Sequence, residues 1–171
     1  MGSRLVHDLA EGLAGAGFRA VRFDFRGVGR SEGAYADGVG EVEDAMAVFD
    51  ALQAETGRPP WVVGFSFGGG VATRLATRRE PAGLVLVATP VRLTESSLVP
   101  IEDAPRAAVP VHVVVGSRDG FVPVGQAERF AAAFPTKAGL TVLEGAGHFL
   151  EPSHNARAVL AVLAAMGSRG G

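Results

Sequence analysis

Apolar and polar positions divide the chain into helical and extended stretches that alternate from end to end. Leu5, Val6, Leu9 and Leu13 recur at helical spacing until Gly15 and Gly17 interrupt them. Over residues 18–25 the period drops to two. Ala20, Arg22 and Asp24 alternate there with Val21, Phe23 and Phe25, which predicts a strand with one polar face, near a sheet edge. Val42, Met46, Phe49 and Leu52 mark a second helix, closed by Gly57 and the pair Pro59 and Pro60. A short strand is expected at 61–65 and a helix at 67–79. Residues 83–88 are almost wholly apolar, as a central parallel strand buried on both faces requires, and 111–115 repeat that pattern. A helix over 124–134, a strand over 140–143 and a last helix over 153–166, with Ser153 as its N-cap, complete the series. Five strands separated by helices predict an α/β fold, a mostly parallel sheet with helices on both faces. The least patterned stretch, 90–110, is too short to hold a separate lid domain.

The strongest local signal is Gly64-Phe65-Ser66-Phe67-Gly68, a G-x-S-x-G motif with a strand before it and a helix after it. A serine on so tight a turn sits in strained backbone while neighbouring chain passes close by, and Gly64 and Gly68 are expected to leave that space. The turn presents the Ser66 hydroxyl at the carboxyl end of its strand, where open α/β sheets place their sites. The amide of Phe67 then lies at a helix N-terminus, suited to holding an oxyanion. The motif fits neither G-x-G-x-x-G nor G-x-x-x-x-G-K-[ST], which counts against a phosphate cradle.

Two further residues follow strands in the same way. Asp119 lies in Gly116-Ser117-Arg118-Asp119-Gly120, after the strand at 111–115, and His148 lies in Gly145-Ala146-Gly147-His148-Phe149, after the strand at 140–143. Alone, an Asp-Gly pair is a turn signal and a loop histidine is most often structural. Together the three residues change the picture, because a parallel sheet brings the ends of all three strands to one edge. Their order, Ser then Asp then His, is the order that a nucleophile-elbow triad requires. His7 and His154 fall in expected helices and His112 within a strand, so they are weaker candidates.

Composition narrows the chemistry further. The 171 residues suit one domain, and 47% hydrophobic with 20% charged residues is the balance of a folded globular chain. A formal net charge of -2 without a Lys/Arg block gives no reason to expect a nucleic-acid or anionic-membrane partner. The absence of cysteine excludes a disulfide framework, Cys-ligated zinc and a thiol nucleophile, and is compatible with the cytoplasm as the expected location. No apolar run is long enough to span a bilayer.

Four blocks taken together resemble the α/β-hydrolase superfamily, most closely its small, lidless bacterial serine hydrolases: Asp24-Phe25-Arg26-Gly27-Val28-Gly29-Arg30-Ser31, the elbow at 64–69, 116–119 and 145–148. The resemblance implies an esterase-like enzyme with Ser66 as nucleophile, His148 as base and Asp119 orienting it. Phe67 N–H would stabilise the oxyanion, and Phe65 and Phe149 would line the site for a small acyl substrate. No metal or organic cofactor is required. The 24–31 block is expected to be a hydrogen-bonded turn that supports neighbouring loops.

The resemblance also implies a strand and a Gly-rich oxyanion loop ahead of the first helix, which this sequence does not show. In the family's strand order that strand lies between 18–25 and 61–65, so its absence leaves a gap inside the sheet. The expectation is one α/β-hydrolase domain over 1–171, N-terminally truncated, with the second oxyanion donor missing. Losing one such donor typically costs about 10²–10³ in turnover. Two rivals therefore stay open: a non-catalytic binding domain of the same fold, and an acyltransferase using the same three residues.

Overall fold

The computed structural model describes residues 3–91, 109–136 and 138–167. In chain order they form α1 (Arg4–Gly15), α2 (Val39–Thr56), β1 (Trp61–Phe65), α3 (Phe67–Leu75), β2 (Gly83–Val87), β3 (Val111–Gly116), α4 (Val124–Ala132), β4 (Gly139–Leu143) and α5 (Pro152–Gly167). The four strands make one sheet in the order β1-β2-β3-β4, and every adjacent pair is parallel. Most of the stretch expected to be too short for a lid, 92–108, lies outside the described residues.

The interior strands explain why the sheet is covered on both sides. Side chains alternate across a strand, and here both sets are apolar. Leu84, Leu86, Val111, Val113 and Val115 pack with Ala72, Ala127 and Phe130 of α3 and α4. Val85, Val87 and Val114 point the other way, into a cluster with Leu5, Leu9 and Leu13 of α1 and Ala158 and Val162 of α5. Leu84 through Val87 have no exposed surface at all. Burying each such side chain contributes about 1.5–3 kcal/mol relative to leaving it in water. The third cluster, Val42, Met46 and Phe49 with Val71 and Leu75, fastens α2 onto α3.

The sequence pattern and the structure part company at 18–25. The alternation predicts a fifth strand, but these residues belong to no strand among those described. A strand exists only if a partner accepts its ladder, and among the described residues the nearest candidate, β1, pairs with β2 alone. Val21 and Phe23, which the alternation assigns to the buried face, stay 49% and 41% exposed. Between this segment and β1 runs a groove of about 380 Å³, lined by Val21, Phe23, Phe25, Val62, Phe65 and Val71 and reaching Ser66. The two flanking segments therefore do not close on each other.

Smaller differences have local causes. α3 stops at Leu75 instead of Arg79, and residues 76–79 continue as turns. α5 begins at Pro152, so Ser153 lies inside the first turn and not at the N-cap. Proline fits the first helical position because the N–H that it lacks would have no acceptor there. At the start of α2 the buried Glu41 carboxylate accepts from the N–H groups of Ala36 (2.9 Å) and Gly38 (2.8 Å). A negative charge suits that helix end, and the contact fixes the loop that brings the Tyr35 ring 6.0 Å from Phe67.

Candidate active site

The carboxyl ends of β1, β3 and β4 share one sheet edge, and each passes directly into a loop with a chemically active side chain. β1 ends at Phe65, and Ser66 follows with φ 49° and ψ −118°, backbone that residues other than glycine rarely adopt. The Ser66 N–H donates to Val87 O at 2.9 Å, which ties the turn to the end of β2. A Cβ at Gly64 would strike the backbone of Gly68 and Gly69, so the strand and helix touch there. Gly68 itself has open space around its missing side chain, contrary to the motif-based expectation. The second crowded position is Gly69, where the Thr89 side chain lies.

Asp119 and His148 sit on loops that are knitted together. Ser117 N–H donates to Leu143 O (3.0 Å), Arg118 N–H to Ala146 O (2.9 Å) and Gly145 N–H to Ser117 Oγ (2.9 Å). Gly116 makes the approach possible, since a Cβ there would collide with the carbonyl of Ala146. The Asp119 carboxylate has no exposed surface. Its Oδ1 accepts from Phe121 N–H and Val122 N–H, both at 2.8 Å, and its Oδ2 lies 2.9 Å from His148 Nδ1.

The geometry assigns the imidazole proton. An ionised carboxylate only accepts, so Nδ1 carries the hydrogen and Nε2 is left with its lone pair. That lone pair faces Ser66 Oγ at 2.9 Å. Ser66, His148 and Asp119 thus form one hydrogen-bonded chain running from an accessible hydroxyl to a buried carboxylate. Phe67 opens α3, where the first N–H groups have no intrahelical acceptor. Its ring turns toward Phe25 (5.7 Å) and Tyr35. The Phe65 ring lies 5.7 Å from His148, and the Phe149 ring stands edge-on at 5.1 Å and 73% exposed.

A ring that no motif marks is also here. Phe121 approaches His148 more closely than either, at 4.8 Å, and is half exposed. The 24–31 block is a hydrogen-bonded turn, with Ser31 Oγ on Asp24 O (2.8 Å) and Arg26 on Asp44 (2.7 Å), and its Phe25 ring lines the groove that reaches Ser66. Arg26 holds the Asp44 carboxyl below its ordinary value of 3.8, chiefly through side-chain hydrogen bonds. His112 is half-buried in β3 against Thr141 Oγ1 (2.8 Å), and burial pushes its imidazole down. His154 contacts Glu151, and His7 belongs to α1. No group of three or more potential metal ligands converges among the described residues. None of their helices is long and apolar enough to cross a membrane.

Comparison with known proteins places the chain among relatives with the same architecture. Residues 2–102 match the family described as serine aminopeptidase, S33. An uncharacterized protein of Mycobacterium tuberculosis is 31% identical over 160 residues, covering 82% of this chain and 57% of the relative. The chain spans about half the length of the curated relatives it matches. Among solved structures, an alpha-beta serine hydrolase homologue from Coxiella burnetii is 34% identical with a TM-score of 0.80, covering 97% of this chain and 76% of that one. A serine hydrolase without lid from Xanthomonas campestris is 28% identical, also with a TM-score of 0.80, covering 97% and 73%. The elbow, the triad geometry and the family match agree: the chain belongs to the α/β-hydrolase superfamily, in the family described as serine aminopeptidase, S33.

Proposed function

We propose that this single-domain chain is a carboxylesterase-like serine hydrolase acting on a small acyl ester. The observation that carries the reading is the unbroken chain from Ser66 Oγ through His148 to Asp119. Ser66 attacks the acyl carbonyl while His148 Nε2 takes the hydroxyl proton. Asp119 keeps the proton on Nδ1 and stabilises the imidazolium that forms. Phe67 N–H stabilises the tetrahedral oxyanion. His148 then returns its proton to the departing alcohol, leaving an acyl group on Ser66. A water activated by the same nitrogen releases the acid and restores the serine.

Phe65 contributes an apolar wall to the acyl side, where the groove beside β1 opens onto Ser66. The balance of the relatives' names, two of them serine hydrolases, supports hydrolysis over a purely binding role. The test is covalent labelling with a fluorophosphonate probe, mapped by peptide mass spectrometry. Labelling at Ser66 that disappears in Ser66→Ala and His148→Ala is the expected result. A folded protein that stays unlabelled would overturn the reading.

A further inference from the structure

The proton path described above fixes where the departing alcohol must sit. Its oxygen receives the proton from His148 Nε2, so it comes within about 2.6–3.2 Å of that nitrogen. Whatever is bonded to that oxygen then lies against the surfaces that flank the imidazole. Phe121 and Phe149 are such surfaces, with ring centroids 4.8 and 5.1 Å from the imidazole. They meet each other edge-to-face at 6.3 Å and 71°, which makes an apolar corner beside the base. Both rings are exposed, at 49% and 73%. Exposed aromatic surface next to a polar reactive group is what a ligand-binding wall looks like before its ligand arrives.

Phe121 is held in place from its backbone. The N–H that it gives to Asp119 Oδ1 is part of the network that holds the carboxylate, so carboxylate and ring share one anchor. Nothing in the described contacts uses the outward surface of the ring for core packing; its aromatic contacts are His148 and Phe149.

We infer that Phe121 is a specificity-determining residue which, with Phe149, forms a subsite for the alcohol half of the substrate and selects esters of aryl-substituted or bulky apolar alcohols. The inference rests on the esterase reading and adds to it the leaving-group side. Phe149, expected to line the site, is thereby assigned to its alcohol side.

The test compares paired methyl and benzyl esters of the same acid, acetic or butyric, by acid release in a pH-stat. The two alcohols are of nearly equal acidity and both esters yield the same acyl-enzyme, so the benzyl-to-methyl ratio of kcat/KM reports recognition of the alcohol during acylation. The wild-type protein should favour the benzyl ester. Phe121→Ala should reduce that ratio about five- to tenfold, the scale of one lost aromatic contact. Phe121→Tyr, which keeps the ring, should preserve it, and Phe149→Ala should lower it. If Phe121→Ala slows both esters equally, the residue only positions His148 and the subsite assignment fails. If wild-type protein that is labelled at Ser66 shows no benzyl preference, the subsite assignment also fails while the hydrolase reading stands. Absence of both labelling and turnover would overturn the hydrolase reading and the subsite with it.

Discussion

Replacing Asp119 by asparagine removes a charge and little else in size, and the surrounding hydrogen bonds decide what the amide does. Oδ1 accepts two backbone N–H groups at 2.8 Å and lies 3.1 Å from His148 Nδ1, whereas Oδ2 faces that nitrogen alone, at 2.9 Å. The asparagine oxygen must keep the first position, because an NH₂ there would face two donors. At about 1 kcal/mol per hydrogen bond, the orientation that keeps both is favoured by about 2 kcal/mol, roughly thirtyfold in population. The NH₂ group therefore points at His148 Nδ1 and donates to it. That is the shorter of the two contacts that Nδ1 makes, so the imidazole accepts there and carries its proton on Nε2, the nitrogen that faces Ser66. The base is then unavailable, and a wrong-tautomer histidine lowers turnover by about 10⁴.

Stability changes far less, since the buried N–H groups of Phe121 and Val122 keep an acceptor. The expected melting temperature lies within about 5 °C of the wild type. Asp119→Ala separates the two effects: it strips the acceptor from both N–H groups, at about 1–3 kcal/mol for each one left unpaired. The assay is the second-order rate of fluorophosphonate labelling, run beside thermal denaturation. A folded Asp119→Asn protein that labels within tenfold of the wild-type rate would refute tautomer control by Asp119.

Two further outcomes follow from neighbouring features. Gly116→Ala drives a methyl group into the Ala146 carbonyl, where the loops of Asp119 and His148 meet. It should cost about 1–3 kcal/mol in urea denaturation and slow labelling as well; unchanged values for both would refute the close approach. Asp44, held below 3.8 by Arg26, stabilises the fold above about pH 4, and that contribution is lost as pH falls through its lowered folded value. Asp44→Asn should therefore melt lower than the wild type at pH 7, with the gap closing below pH 4; a gap independent of pH would contradict it. The pair is partly exposed, so the difference is modest.

How much of this could be read from the sequence varies with how local each feature is. The run at 83–88 and the elbow at 64–68 carry their own signatures: continuous apolarity for a doubly covered strand, and glycine around a serine between strand and helix. The order of Ser66, Asp119 and His148 then brings the three to one edge, since every strand they follow is parallel. Residues 18–25 carry an equally clear period of two and still make no strand, because pairing depends on a neighbour that the pattern cannot supply. Phe121 is invisible for a different reason. It follows an Asp-Gly pair that reads as an ordinary turn, and its position beside His148 arises only once the Asp119 side chain has captured its amide. The motif also misplaces one glycine, since Gly69 and not Gly68 is the crowded position, and only the location of Thr89 reveals that.

β2 gives no side chain to the chemistry, yet it lies between the strand that ends at Ser66 and the strand that leads to Asp119. The 2.9 Å gap between Ser66 Oγ and His148 Nε2 is therefore spanned by the width and twist of a sheet whose middle is Leu84 to Val87. Misplacing reacting groups by 1 Å can cost about 10² in rate. Interior packing thus acts as the gauge of a proton-transfer distance. Varying only the walls of the groove in this protein would leave that gauge untouched, whereas paired changes at Val85 and Leu86, which do not line the groove, would reset it.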